Sequence, residues 1–206
     1  VPGVPGNYEL RYVLASDRQI VVTKPLTVVP VTATLDAPAT VAAGSDIKVR
    51  WTGPGNSRDQ ITLAEPEQRS DRFRSYQNVD DTGEVELRVP GVPGNYELRY
   101  VLATDRQILI TRPLAVAAVT ATLQASRSAA PAAQIEVHWT GPANRRDMIT
   151  LALPDSEGGN FKSYAPVKAG SNTVHVKTPK EPGSYVLRYI VSSDKQVIAE
   201  IPVTIE

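Results

Sequence analysis

Two histidines are the first residues to test for chemistry, because an imidazole can serve as a metal ligand or as a general base. His138 and His175 fall on two neighbouring predicted strands, and the alternation of side chains directs both outward. A metal site there needs a third ligand, for which Glu136 is the near candidate. The corresponding positions of an internal repeat hold Arg50 and Glu86 instead. A pair that is not repeated indicates a tolerant surface position, so we predict no metal there.

A second set of polar residues lies in predicted loops at one end of each repeat. These loop residues are Arg58, Asp59, Asp105, Arg106, Arg146, Asp147 and Asp194. Two interpretations stay open: a polar recognition or calcium site, or carboxylates that accept backbone hydrogen bonds where a strand or turn begins. Calcium takes about six to eight oxygen ligands. Two carboxylates per repeat, each beside an Arg or Lys, are too few, so calcium binding is disfavoured and Asp147 and Asp194 are only weak metal candidates.

The composition excludes most other chemistry. The 206 residues include no Cys, and 22 Lys plus Arg balance 22 Asp plus Glu. A thiolate nucleophile, a Cys metal site and a phosphate-binding loop are therefore absent from the sequence, and a net charge of zero predicts no nucleic-acid binding. No apolar run approaches the roughly 20 residues of a membrane helix, so membrane insertion is not expected. The sequence predicts a protein that is not an enzyme and needs no cofactor.

The elements that position these residues come from a sequence repeat. Residues 1–26 recur at 89–114 with four conservative differences, and a more divergent copy begins at Pro182. Trp51 and Trp139, whose numbers differ by 88, mark the other half of the repeat. These matches predict a partial module over residues 1–28 and complete modules over 29–116 and 117–206. Because the first segment matches only the last third of a module, we expect the natural chain to continue upstream.

Each module is predicted to be all-β, because polar and apolar residues alternate in short runs separated by Gly, Pro, Asn and Asp. In the first full module we place strands A, B, C, C′, E, F and G over 32–35, 46–51, 60–64, 73–77, 84–88, 95–102 and 107–116. The predicted fold is a tandem of seven-stranded sandwiches preceded by an F–G hairpin. Alternation directs a set of core residues inward and Glu97 and Arg99 outward. The predicted core residues are Trp51, Trp139, Tyr8, Tyr96, Tyr185, Leu98 and Leu187.

These patterns resemble known families. A Trp ends strand B in VRWTGP and PGNYELRYVLA opens strand F, which resembles fibronectin type III and immunoglobulin-like sandwiches. Tyr8, Tyr96 and Tyr185 occupy the place of the tyrosine corner in those folds. The wider signature, WTGP, then Asp and ITL, then PG-x-Y-x-LRY, resembles repeats in the C-terminal regions of bacterial von Willebrand factor A domain proteins. That resemblance implies an extracytoplasmic location, in the periplasm or at the cell surface.

The joints between modules favour a structural function. About three residues separate strand G of one module from strand A of the next, which leaves little freedom. We therefore interpret the chain as a non-catalytic structural or interaction array, a semi-rigid spacer or protein-binding segment of a larger exported bacterial protein. The alternative is an adhesin-type module that binds carbohydrate or protein through its B–C and F–G loops. Those loops contain no aromatic residue, which favours the spacer.

The F–G hairpin predicts an interaction of its own. Strands F and G over residues 7–28 carry an apolar face without strands A to E of the same module. An isolated hairpin is marginal in water. A protein partner or self-association is therefore expected through the hairpin or through strand edges.

Overall fold

A computed structural model describes residues 2–206 and confirms the all-β prediction. The regular elements of these residues are strands and one three-residue 3-10 helix at Ser193–Lys195. No helix in this part of the chain has the length and apolar character needed to cross a membrane.

The chain's internal contacts divide it into two units. The first contains residues up to Ala37 together with Lys48–Leu87 and Tyr96–Pro113. The second contains Pro38–Ile47, Arg88–Asn95 and Leu114–Glu206. Two short stretches of the first sequence repeat, around Gly44 and Gly91, therefore belong to the second unit.

The N-terminal hairpin consists of β1 (Gly6–Val13) and β2 (Ile20–Val28), which pair antiparallel as a two-stranded sheet. The Tyr8 hydroxyl donates to the Val4 carbonyl at 2.8 Å, as a tyrosine corner does. Tyr8 was expected in a core but is only partly buried. Leu10 and Tyr12 are more than half exposed. The hairpin forms a sheet of its own, so its apolar side chains lie in water.

The first full repeat is a sandwich of two sheets. Its strands are β3 (Thr34–Asp36), β4 (Thr40–Ala42), β5 (Asp46–Thr52), β6 (Gln60–Ala64), β7 (Ser75–Asn78), β8 (Glu84–Arg88), β9 (Gly94–Val101) and β10 (Ile108–Ala117). One sheet has the order β3-β5-β8 and the other β4-β10-β9-β6-β7. In strand letters these are A-B-E and A′-G-F-C-C′, the division of an immunoglobulin or fibronectin type III-like sandwich.

Strand β4 was not predicted. It pairs parallel with β10 and belongs to the other sheet from β3. Pro38 stands between β3 and β4, and a residue without an N–H interrupts strand pairing. The first strand of the repeat therefore changes sheets at this proline.

The second repeat follows the same order. Its strands are β11 (Thr122–Ala125), β12 (Ser128–Ala129), β13 (Gln134–Thr140), β14 (Met148–Ala152), β15 (Ser163–Pro166), β16 (Thr173–Lys177), β17 (Gly183–Val191) and β18 (Gln196–Ile205). The sheets are β11-β13-β16 and β12-β18-β17-β14-β15. Equal sequence periods thus produce equal topologies.

The structure places most of the predicted core residues inside the sandwiches. Tyr96, Trp139, Tyr185, Leu98 and Leu187 are each at most 5% exposed. The Trp139 ring lies 5.8 Å from the Tyr189 ring, centroid to centroid. These side chains supply the apolar area whose burial stabilises each sandwich.

Trp51 differs from its counterpart and remains partly exposed. The residue next to its ring is Gly55, whereas the second repeat has Ala143 there, and Ala143 packs against the core that contains Trp139. A missing methyl group therefore leaves the Trp51 ring less covered.

Arg99 was predicted to point outward from strand F, and the structure nevertheless buries it. It is 2% exposed, because the chain between β6 and β7 folds over it. Its guanidinium donates to the carbonyls of Gln68 at 2.8 Å and Glu65 at 3.0 Å, and to the Glu97 carboxylate at 2.9 Å. Arg188 repeats this arrangement and donates to Ser156 O at 2.6 Å. Side-chain alternation gave the direction correctly but could not reveal the covering loop.

Candidate functional site

The Asp147 carboxylate joins the loop between β13 and β14 to the turn between β17 and β18. Asp147 is fully buried. Its Oδ1 accepts a hydrogen bond from the Ser192 N–H at 2.9 Å. Its Oδ2 accepts from the Asn144 N–H at 3.0 Å and from the Tyr189 hydroxyl at 3.3 Å. Burial raises the pKa of this carboxyl, and the donors from Ser192, Asn144 and Tyr189 oppose that shift. The carboxylate is thus engaged with its own repeat.

Asp59 makes the same connection in the first repeat and is 1% exposed. Its Oδ1 accepts from the Ala103 N–H at 2.9 Å. Its Oδ2 accepts from the Asn56 N–H at 3.1 Å and from the Tyr100 hydroxyl at 3.0 Å. Burial raises the pKa of Tyr100 to about 12, so its hydroxyl stays protonated and donates at neutral pH. We call each set of three bonds to Asp59 or Asp147 the carboxylate lock.

The other candidate residues lie outside the carboxylate lock. Arg58, Asp105, Arg106 and Arg146 are exposed. The three arginines have left-handed backbone angles, with φ of 72°, 60° and 69° in chain order. Asp105 accepts from the Gln107 N–H at 3.4 Å, which is a contact within its own turn. Their geometry is that of turn residues.

Asp194 contacts a turn of the first repeat, and both belong to the second unit. Its Oδ2 accepts the Gly91 N–H at 2.8 Å. Next to it, the Ser193 hydroxyl donates to the Val89 carbonyl at 2.8 Å. A Cβ on Gly91 would overlap the Ser193 carbonyl, so only glycine fits this approach. We call Val89–Pro93 the docking turn and Ser192–Gln196 the acceptor turn.

A second segment of the same unit strengthens this contact. The Asn144 side chain donates to the Ala43 carbonyl at 3.1 Å. A Cβ on Gly44 would overlap the Val191 side chain and would lie 2.8 Å from Asn144 Nδ2. The loop between β13 and β14 is therefore also in contact with residues 43–44.

Arg88 completes the contact with a small ionic cluster. Its guanidinium lies 3.2 Å from the Asp46 carboxylate and donates to Ser192 Oγ at 2.6 Å. It also donates to the Arg145 carbonyl. The Arg145 guanidinium in turn lies 3.6 Å from Asp46. Arg88 and Asp46 are largely buried, at 22% and 23% side-chain exposure, so solvent screens this cluster less than an open surface pair.

The two histidines lie on either side of Glu136. Its carboxylate oxygens are 3.1 Å from His138 Nε2 and 3.3 Å from His175 Nε2, and all three side chains are more than half exposed. The His138 Nδ1 also bonds Thr173 Oγ1 at 3.0 Å. Within residues 2–206, no group of three or more His, Asp or Glu side chains is arranged to hold a metal ion.

Sequence reasoning named Asp194 as a candidate but did not single out Arg88 or Gly91, which also make the docking contact. Arg88 cannot be distinguished in sequence from a surface arginine. Gly91 carried a signal, because it recurs as Gly3 in the repeated VPG. The contact of Gly91 could not be predicted from this repeat, because its hydrogen-bond partner in the acceptor turn lies 103 positions away in the chain.

No protein-family model and no curated protein matches the chain. Among solved structures it is similar to the BSP domain of a biofilm-associated protein, with a TM-score of 0.33 and 12% identity over 83% of this chain and 29% of that one. It is similar to the Yersinia pseudotuberculosis adhesin InvE, with a TM-score of 0.34 and 12% identity over 84% of this chain and 58% of that one. A two-domain fibronectin type III segment of chicken tenascin gives a TM-score of 0.32 and 13% identity over 84% and 97%.

The chain spans 29% of the length of the biofilm-associated chain. The assignment of the sandwich fold stands on the strand order described above.

Proposed function

We propose that the chain is a non-catalytic structural and interaction array, a semi-rigid spacer or protein-binding segment of a larger exported bacterial protein. The observation that supports this function is the use of the loop carboxylates. Asp59 and Asp147 already accept the hydrogen bonds of the carboxylate lock, and Asp194 accepts a backbone N–H of the docking turn. Carboxylates that already accept hydrogen bonds from the chain stabilise the repeats and the contact at the docking turn rather than hold a ligand or a reacting substrate.

Strand edges offer a surface for a protein partner. β7 and β15 are the terminal strands of their sheets. Tyr76 and Tyr164 lie on these strands at 49% and 57% exposure, and each ring packs near Phe73 or Phe161, at centroid distances of 4.9 and 5.5 Å. Strand addition at such an edge supplies backbone hydrogen bonds, and exposed aromatic rings supply apolar contact. This observation favours the protein-binding form of the proposal over recognition at the B–C and F–G loops.

Calcium binding distinguishes the proposed array from an adhesin module that depends on a cation. We expect the midpoint of thermal unfolding to change by less than about 1 °C between excess calcium and EDTA, because the carboxylates are already engaged. A real site at about 100 times its Kd would stabilise the fold by about 2.7 kcal/mol. Calorimetry of the full chain measures this, with Asp194→Ala as the matched variant. A rise of several degrees in calcium that disappears in Asp194→Ala would refute the array function.

A further inference from the structure

The contact between Gly91 and Asp194 has a counterpart one repeat earlier. In the alignment of repeats, Gly3 corresponds to Gly91 and Asp105 to Asp194. Gly3 lies against the Asp105 carboxylate, and a Cβ on Gly3 would overlap it. Both residues belong to the first unit. A VPG glycine therefore meets the aspartate of an F–G turn twice in this chain.

The residues that make the docking contact in the first repeat are all changed in the second. Gly44, Asp46, Arg88 and Gly91 correspond to Ala132, Gln134, Lys177 and Lys180. The four replacements are exposed. The two repeats agree in fold but differ at this surface.

Each replacement removes the feature on which the contact depends. Lys180 carries a side chain where Gly91 has no room for a Cβ. Gln134 has no charge to pair with an arginine. Lys177 lacks the planar fork with which Arg88 reaches several acceptors at once. A surface with these residues cannot make the contact seen at Gly91.

We propose that the F–G turn of each repeat is a binding site for a VPG turn from a neighbouring repeat, and that the second repeat has lost the docking turn that would fill such a site. The recognised feature is a glycine N–H presented to an aspartate, with no Cβ in the way. Asp17 is the third copy of this aspartate, is exposed, and accepts only its own turn's Gln19 N–H among the described contacts. The partner that fits it is a repeat with Gly at the position of Gly91. A second copy of this chain cannot fill it through Lys180.

This inference rests on the proposed array and names how its repeats recognise each other. The test is amide hydrogen exchange at residue 91 in the full chain, followed by NMR. In the wild type this amide is expected to be protected by its bond to Asp194. Asp194→Ala removes the acceptor without touching the docking turn, and Gly91→Lys introduces the residue of the second repeat. Both are expected to accelerate exchange at residue 91 at least about tenfold.

Lys180→Gly is the matched control, because it changes the equivalent turn of the second repeat and should leave exchange at residue 91 unaltered. Unprotected exchange at Gly91 in the wild type, or full protection in both Asp194→Ala and Gly91→Lys, overturns the inference. Such a failure is distinct from a failure of the array function, which would appear as calcium-dependent unfolding with exchange at Gly91 unaffected.

Discussion

Replacement of Asp147 by alanine is expected to lower the free energy of unfolding of the second repeat by about 3–5 kcal/mol. The change leaves the Ser192 N–H, the Asn144 N–H and the Tyr189 hydroxyl without their acceptor in a buried site. Each buried donor without a partner costs about 1–3 kcal/mol. Urea unfolding followed by fluorescence of the two tryptophans, Trp51 in the first repeat and Trp139 in the second, measures the loss.

Two further variants decide whether the carboxylate lock is the cause. Glu157→Ala removes an exposed carboxylate from the same repeat and should change stability by less than about 0.5 kcal/mol. Asp59→Ala should destabilise the first repeat as Asp147→Ala destabilises the second. An effect of Asp147→Ala as small as that of Glu157→Ala would show that the carboxylate lock contributes little to stability.

Replacement of Arg99 by methionine is expected to cost about 3–5 kcal/mol in the first repeat. Methionine retains an unbranched apolar stem but offers no donors to the carbonyls of Glu65 and Gln68 or to the Glu97 carboxylate. All of these groups surround a guanidinium that is 2% exposed. The loss is measured by urea unfolding, with proteolysis in the covering chain between β6 and β7 as the local readout.

Arg11 is the matched control, because it occupies the same LRY motif in the hairpin. It is half exposed and pairs only with Glu9 in the described contacts. Arg11→Met should therefore change stability by less than about 1 kcal/mol. Equal effects at Arg11 and Arg99 would mean that the covering chain does not bury the guanidinium.

The fold could be predicted from the sequence because the alternation of side chains and the turn residues are local signals. Alternation and turn residues located β6 over Gln60–Ala64 and β8 over Glu84–Arg88 at their observed bounds. Strand β4 escaped prediction because it follows Pro38 and pairs with β10, a strand that lies far along the chain. The burial of Arg99 escaped because the covering loop lies 30 or more positions away. Local patterns give the direction of a side chain, whereas burial depends on which distant segment packs over it.

The candidate site shows the same division. An aspartate at the start of a strand with backbone donors nearby was one of two open interpretations, and the geometry of Asp59 and Asp147 is of that kind. The contact between Gly91 and Asp194 had no local signature beyond a repeated VPG. The contact is identified by comparing the side chains of the two repeats, and that comparison needs the contacts of the first repeat, which only the structure provides.

We propose that the repeats form a semi-rigid array, in which the acceptor turn binds the docking turn. Nitrogen-15 relaxation of backbone amides across the full chain tests this proposal, because the ratio of transverse to longitudinal rates reports how fast each part tumbles. We expect one shared correlation time for residues 29–116 and 117–206 in the wild type, and two shorter times in Gly91→Lys. Two short, independent correlation times in the wild type would overturn the proposal.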